Sequence, residues 1–195
     1  AMQSTQIANQ VTLFNSYNLA AKGLVNSVLI DHFNKTSYQD TVVIAGFGLF
    51  GQTILEELQM NAGDEIDLVA IVDIEAHRRV QIVDEQQKHD IFYKRKIYQG
   101  DTTHPDVWRK LTGDINLSRG EPVVIMGTSD SANNLRTALW IKQKHNNALI
   151  FSRTNDTSEF AQAVGKEHGV HCISITRLVE DNIPLEWTRL DQIAE

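Results

Sequence analysis

Short apolar segments alternate with helix-forming segments between residues 41 and 175, and no other feature of the sequence restricts the fold as strongly. The predicted strands are TVVIAGF (41–47), DLVAIVD (67–73), KIYQGD (96–101), PVVIMGT (122–128), ALIFSRT (148–154) and VHCISI (170–175). Helical patterns occupy the connections at 51–63, 74–90, 104–113, 131–145 and 158–169. Because each connection is long enough for a crossover helix, the alternation predicts an α/β fold with a doubly wound, parallel, six-stranded sheet.

Residues 1–40 lie outside this alternation, and we expect an extra N-terminal amphipathic helix there. Apolar residues repeat at helical spacing at Leu13, Tyr17, Ala20, Leu24, Val28 and Leu29. Such a helix either packs on the domain or on a dimer partner, or it is a connector from a larger protein. Residues 176–195 are too short to form a domain. We interpret them as a C-terminal tail with a candidate crossover helix in ITRLVEDNIPLEW (175–187).

The charge and composition of the chain exclude several classes of partner and site. The formal net charge is −7 and the longest basic run is only KRK at 94–96, which argues against nucleic acid as the main partner. The single cysteine, Cys172, excludes an internal disulfide and a cysteine-rich zinc site. No segment approaches the roughly 18 apolar residues of a membrane span, so we expect the chain as given to be soluble.

Three glycines follow the first predicted strand in the pattern Gly46-x-Gly48-x-x-Gly51. The pattern alone is weak, but a buried strand precedes it and a helix follows it, as in a Rossmann-like fold. The first glycine permits a tight turn, the second lets the backbone approach a pyrophosphate, and the third allows the helix to pack on the strand. Phosphates would then lie at a helix N-terminus, where free N–H groups and the helix dipole favour negative charge.

Asp73 ends the second predicted strand, 22 residues after Gly51. A carboxylate at this position can accept hydrogen bonds from both ribose hydroxyls of an adenosine, and it repels a 2′-phosphate. We therefore expect NADP to bind poorly. Arg78 and Arg79 lie nearby and could favour a 2′-phosphate, but they fall on a polar helix and are predicted to be solvated. The alternative is a Rossmann fold that keeps the loop and binds nothing.

The sequence lacks the parts that a dehydrogenase needs to hold its substrate and move a proton. Residues 1–40 and 176–195 are too short to build a substrate domain. A short-chain dehydrogenase needs a Tyr-x-x-x-Lys pair, and none of the four tyrosines, Tyr17, Tyr38, Tyr93 and Tyr98, has a lysine four residues later. We therefore predict no catalytic residue and a protein that is not an enzyme.

The histidines and acids outside the glycine loop do not form a metal motif either. His168 and His171 flank a turn between a helix and a strand, and we interpret them as turn and edge residues. Asp101 and Asp130 follow consecutive predicted strands and are interpreted as ligand-contacting or turn residues. No metal site is predicted.

Five segments together resemble a known family of nucleotide-binding domains. They are VVIAGFGLFG, IVDIEAHR, YQGDTTHPDVW, VIMGTSDSANNLRTALWIKQ, and IFSRTND followed by a helix and GVHCI. In combination they resemble the N-terminal lobe of an RCK domain, also called a KTN or Trk-type NAD-binding domain, over residues 41–175. Thr102 departs from the family's Gly-Asp-Ala-Thr element, in which alanine occupies its position. The family's smaller C-terminal lobe is absent, so no second ligand site is predicted.

The resemblance implies a site at the glycine loop for NAD(H) or for AMP, ADP or ATP. By the family pattern the loop residues contact the phosphates: Gly46, Phe47, Gly48, Leu49, Phe50 and Gly51. Asp73 would hold the ribose, with Ile74 beside it as a further contact. Asp101 and Thr102 would flank the adenosine. Thr128, Ser129 and Arg153 would face the phosphates from across the cleft.

The resemblance also implies a cytoplasmic regulatory module of a potassium channel or transporter, attached to or docked on the inner or cell membrane. Family members form dimers or octameric rings, and ligand binding gates the attached pore. The longer chain before residue 41 suggests a lobe excised from a larger, membrane-attached protein. The alternatives are a small NAD-dependent oxidoreductase or the cofactor-binding half of one, and a dimerisation scaffold that binds no nucleotide.

Overall fold

The computed structural model describes residues 15–36, 40–86, 90–154 and 159–183 of the 195-residue chain. Within these ranges six strands form one parallel sheet: β1 (Asp40–Ala45), β2 (Ile66–Asp73), β3 (Lys94–Gln99), β4 (Val123–Met126), β5 (Leu149–Thr154) and β6 (Val170–Ser174). Their order across the sheet is β3-β2-β1-β4-β5-β6. This is the strand order of a Rossmann fold, so the predicted doubly wound parallel sheet is confirmed.

Helices connect the strands and also lie at both ends of the sheet-forming region. Before β1 the chain forms α1 (Ser16–Leu24), one π-helical turn (Val25–Leu29) and α2 (Ile30–Phe33). The crossover helices are α3 (Leu49–Ala62), which continues into a 3₁₀ turn (Gly63–Glu65), α4 (Ala76–Gln86), α5 (Pro105–Asp114), α6 (Ser131–Lys144) and α7 (Glu159–His168). α8 (Ile175–Asn182) begins directly after β6. None of the helices in the described ranges has the length and apolarity to cross a membrane.

Helices cover both faces of the sheet, which explains why the central strands are apolar at nearly every position. In β1, Val42 and Ile44 belong to the core layer that includes α1, α3 and α8. Val43 and Ala45 point the other way, into the layer formed with α5 and α6, where Trp108 is almost completely buried. The switch point, where the strand order reverses between β1 and β4, therefore lies at the centre of the sheet, with a packed layer on each side.

The third strand differs most from its predicted position. β3 spans Lys94–Gln99, whereas the sequence predicts 96–101. Among the described strands it pairs only with β2, and its charged residues stay partly exposed, so no apolar pattern marks its start. The helix predicted over 74–90 is observed as α4 over Ala76–Gln86, and residues 87–89 lie outside the described ranges.

The N-terminal helix packs on the sheet-forming region. Asn15 caps α1 by accepting a hydrogen bond from Tyr17 N–H at 3.0 Å. α1 lies against α3 and α8, and the fit is close at Gly23, where a Cβ would lie 2.2 Å from Asn182 Nδ2. The division into a connector over 1–40 and a tail over 176–195 stays a prediction. Residues 1–14, with Leu13, and 184–195 lie outside the described ranges.

Candidate functional site

The loop between β1 and α3 needs glycine at its first position. Gly46 has φ +96°, a backbone conformation that other residues rarely adopt. A Cβ at Gly46 would also lie 2.6 Å from Thr128 N, so the loop and the chain leaving β4 are in direct contact. Gly46 N–H donates to Val72 O at 2.8 Å, which fixes the loop to the end of β2. The first glycine thus joins the ends of three strands.

The other two glycines shape the start of α3. A Cβ at Gly51 would lie 2.3 Å from Gly46 O, so the first helical turn packs directly on the loop. Gly48 is the N-cap residue and, as a glycine, it has no side chain with which to cap the helix. The backbone N–H groups at the start of a helix have no intrahelical acceptor. This end of α3 therefore presents backbone donors that its own N-cap residue does not satisfy, which suits a phosphate group.

The other three loop residues can contribute in different ways. Phe47 and Phe50 are buried in the core, so only their backbone can contact a ligand. Leu49 is 69% exposed and is the loop side chain nearest to solvent. All six loop residues are predicted from the family pattern to contact the phosphates. Burial of their side chains restricts Phe47 and Phe50 to contacts through the main chain.

Asp73 lies at the end of β2 and is only 6% exposed. Its Oδ2 accepts a hydrogen bond from Phe47 N–H at 2.7 Å, and its Oδ1 accepts one from Glu75 N–H at 2.8 Å. The carboxylate therefore holds the glycine loop and the turn after β2 together. An ionised carboxylate has about four acceptor positions. Two are taken by backbone donors and Arg79 Nε lies 3.4 Å from Oδ1, so at most two remain for ribose hydroxyls.

Arg79 also reaches this carboxylate, which corrects the expectation that Arg78 and Arg79 are both solvated. Arg79 Nε lies 3.4 Å from Asp73 Oδ1, and its side chain is only 29% exposed. A Cβ at Gly48 would lie 3.3 Å from Arg79 Nη1, so the guanidinium group lies over the glycine loop. Arg78 is mostly exposed, as expected. The helical pattern of α4 does not show that Arg79 turns back towards the sheet.

Ile74, Asp101 and Thr102 lie at the ends of β2 and β3. Ile74 is 67% exposed and offers an apolar surface next to Asp73. Asp101 Oδ1 accepts hydrogen bonds from both the backbone N–H and the hydroxyl of Thr103, each at 2.8 Å. These bonds, the backbone one first, lower the pKa of Asp101. Thr102 is buried, and its carbonyl accepts a hydrogen bond from Trp108 Nε1 at 2.8 Å.

Asn134 is a site-building residue that the sequence analysis did not identify. It lies on α6 and is almost completely buried. Its Nδ2 donates to Thr128 O at 2.9 Å and to Arg153 O at 3.0 Å, and its Oδ1 accepts from Thr128 Oγ1 at 2.5 Å. One amide therefore fixes the ends of β4 and β5. The sequence feature that could have indicated this role is an asparagine on the buried face of an amphipathic helix, where a polar side chain needs hydrogen-bond partners.

Arg153 lies at the end of β5, across the switch point from the glycine loop. Its Nη1 donates to Gly127 O at 3.3 Å, and its Nε is buried without a hydrogen-bond partner among the described residues. Its Cζ lies 5.6 Å from the centre of the Tyr17 ring and 5.7 Å from that of Phe50. These distances are within the range of cation–π contacts. Tyr17 of α1 is thus a second contributor that sequence reasoning missed.

The structure brings most of the predicted contacts together at the carboxyl edge of the sheet. Direct contacts connect the glycine loop with Asp73 and Thr128, and Arg153 joins them through Gly127. Asp101 and Thr102 follow β3, and Gly100 N–H ties that strand end to Asp73 O at 3.0 Å. Ser129 is exposed in the loop before α6. In open α/β sheets a ligand binds at this edge, in the crevice where the strand order reverses.

The remaining polar residues that the sequence analysis considered are Asp130, which caps a helix, and the two histidines around the turn before β6. Asp130 caps α6 by accepting a hydrogen bond from Asn133 N–H at 3.0 Å. His168 ends α7, and His171 lies in β6, where burial lowers its pKa. Among the described residues, no three His, Cys, Asp or Glu side chains are grouped so that they could hold a metal ion.

Comparison with known proteins identifies the class of the domain. The family model described as the TrkA-N domain matches residues 42–174, which confirms the family resemblance drawn from the sequence motifs over 41–175. No curated protein matches the chain. A solved structure, a chorismate mutase/shikimate 5-dehydrogenase fusion protein from Clostridium acetobutylicum, superimposes with a TM-score of 0.44 and 13% identity, over 85% of this chain and 51% of that one. The chain spans about half the length of that protein.

Proposed function

Because the chain belongs to the TrkA-N domain family, we propose that it is the nucleotide-sensing module of a potassium channel or transporter. Domains of this family are Rossmann-type modules for nucleotide binding. The observation that supports the proposal is the hydrogen bond between the glycine loop and Asp73, which places the glycine-capped start of α3 close to a nearly buried carboxylate. The fold provides one place that fits phosphates and one that fits a ribose.

The ligand that fits these groups is NAD(H) or an adenine nucleotide. The donors at the start of α3 would hold the phosphates, and Asp73 would accept the ribose hydroxyls. Ile74 offers an apolar surface for the adenine, and Arg153 is a cation on the opposite side of the switch point, where its Nη1 donates to Gly127 O. The nucleotide would supply a binding signal, and its redox chemistry is not required. The polar side chains that hold the crevice together make structural hydrogen bonds.

A regulatory role requires that the ligand bind two states of the assembly with different affinities. We propose that the domain works as a homodimer or higher ring, as a cytoplasmic part of a membrane-embedded partner. Three apolar residues of α6 are candidates for such a contact. Ile141 is buried in the core and is therefore not available for it, whereas Leu135 and Leu139 are only partly buried against the same layer. Sedimentation of the chain with and without NADH measures its oligomeric state. A monomer under both conditions would contradict it.

The test of nucleotide binding is calorimetric titration with NAD, NADH, AMP, ADP and ATP, using the wild-type chain and Asp73→Ala. We expect at least one nucleotide to bind, and Asp73→Ala to weaken it by at least about tenfold, because charge-assisted hydrogen bonds to the ribose are lost. Asp67→Asn is the control, since it removes an exposed carboxylate from the same strand, 3.4 Å from Lys94. Thermal unfolding of each variant separates lost binding from lost folding.

The titration also separates the alternatives. If no nucleotide binds to the folded wild-type chain, the scaffold without nucleotide replaces our proposal. If bound NADH is oxidised by carbonyl substrates with turnover, the protein is a small oxidoreductase or the cofactor-binding half of one.

A further inference from the structure

Glu75 stands between the two arginines that follow β2. Its Oε1 lies 2.9 Å from Arg78 Nη1, and its Oε2 lies 3.2 Å from Arg79 Nη2. Arg79 is also 3.4 Å from Asp73 Oδ1. Two carboxylates and two guanidinium groups therefore form one ion-pair network whose formal charges cancel. Hydrogen bonds from Arg79 and then Arg78 lower the pKa of Glu75, so it is ionised at neutral pH.

The network lies at the end of β2, where Rossmann folds recognise the 2′-hydroxyl or 2′-phosphate of an adenosine. In Rossmann folds an acid at the end of the second strand accepts the 2′-hydroxyl of NAD, whereas a nearby arginine accommodates the 2′-phosphate of NADP. This chain has both kinds of residue within one network. Asp73 alone repels a 2′-phosphate, but Arg79 lies close enough to the loop and to Asp73 to attract one.

We propose that Glu75 is a specificity-determining residue that, with Asp73, restricts the site to nucleotides with a free 2′-hydroxyl. The inference rests on the proposed nucleotide-binding function and deepens it. Glu75 acts by occupying both arginines. A 2′-phosphate carries close to two negative charges at neutral pH and needs a guanidinium fork with free donors. In this site the Arg79 fork is divided between Glu75 and Asp73.

The decisive variant is Glu75→Gln, compared with wild type for NADH and NADPH by fluorescence titration of the full chain. We expect the wild-type chain to prefer NADH. Glu75→Gln releases Arg78 and Arg79 from one carboxylate, so the ratio of NADPH affinity to NADH affinity should rise about tenfold. The double variant Glu75→Gln/Arg79→Gln should lose most of this rise, because the fork that receives the phosphate is gone.

Asp67→Asn is the matched control for net charge. It also removes one exposed carboxylate that pairs with a single basic residue, but it lies at the start of β2, away from the carboxyl edge. It should leave the ratio unchanged. Glu75→Ala provides a second variant, and circular dichroism checks that each chain is folded.

The outcomes distinguish the inference from the function on which it rests. If NADH binds to the wild-type chain but Glu75→Gln changes the ratio no more than Asp67→Asn does, the role of Glu75 is refuted and the nucleotide site stands. The same holds if the wild-type chain binds NADPH as tightly as NADH. If neither NADH nor NADPH binds to any folded variant, the inference fails, and the proposed function fails with it only if the titration with AMP, ADP and ATP also shows no binding.

Discussion

At the scale of single residues, the site depends on positions where backbone geometry leaves few choices. Gly46 combines a positive φ with a contact that leaves no room for a side chain. Asp73 and Asn134 each hold two chain segments together through several hydrogen bonds. These residues hold the crevice together without a ligand, so we expect their substitution to lower the stability of the fold as well as the proposed nucleotide binding.

Replacement of Gly46 by alanine should destabilise the folded state by about 2–4 kcal/mol, because backbone strain adds to the clash with Thr128. Urea denaturation measures this change. Gly120→Ala is the control, since Gly120 also has a positive φ, +67°, but no atom of the described part of the chain lies within 4 Å of its Cβ position. The control should show only the strain, about 1 kcal/mol. Equal losses in the two variants would show that the contact with Thr128 does not matter.

At the scale of helices and strands, the fold could be predicted more completely than the site. Strands buried on both faces are apolar throughout, so β1, β2 and β4 stand out in the sequence, whereas the edge strand β3 is less clearly marked. The glycine loop could be predicted because its requirements are local. The contacts of Arg79 and Tyr17 could not, because they depend on how α4 and α1 lie on the sheet.

The N-terminal helix contacts the site through an aromatic ring. The centre of the Tyr17 ring lies 6.2 Å from the centre of the Phe50 ring and 5.6 Å from Arg153 Cζ. Tyr17→Leu removes this contact, which contributes about 0.5–2 kcal/mol. We expect faster hydrogen exchange in α1 and a several-fold loss of nucleotide affinity, because Arg153 is held less firmly.

Tyr17→Phe is the control for this prediction, because it keeps the ring and removes only the hydroxyl. It should resemble wild type in both exchange and affinity. If Tyr17→Leu also resembles wild type in both, α1 and the site are not coupled through this contact.

At the scale of the whole molecule, one sheet carries two packed layers, and the crevice lies where elements of both layers meet. The glycine loop leads into α3 on one face, while Asn134 reaches the crevice from α6 on the other. A ligand in the crevice would therefore contact chain segments that belong to both layers. Binding should stabilise the folded domain as a unit.

We expect NADH at about 100 times its dissociation constant to stabilise the folded state by about 2.7 kcal/mol. For a chain of this size, this corresponds to a rise in Tm of about 5–10 °C. Circular dichroism during heating measures the shift, and Asp73→Ala at the same NADH concentration should show little of it. An unchanged Tm of the wild-type chain at that concentration would contradict binding to the folded state.

The π-helical turn at Val25–Leu29 sets the phase of the N-terminal helix. Such a turn contains one residue more than an α-helical turn. Each α-helical residue turns the chain by about 100° around the axis. Without the extra residue, everything before the turn would rotate by about that angle relative to Phe33, and Tyr17 would face away from Arg153. The side of α1 that meets the crevice is thus fixed by an angular offset within the helix itself.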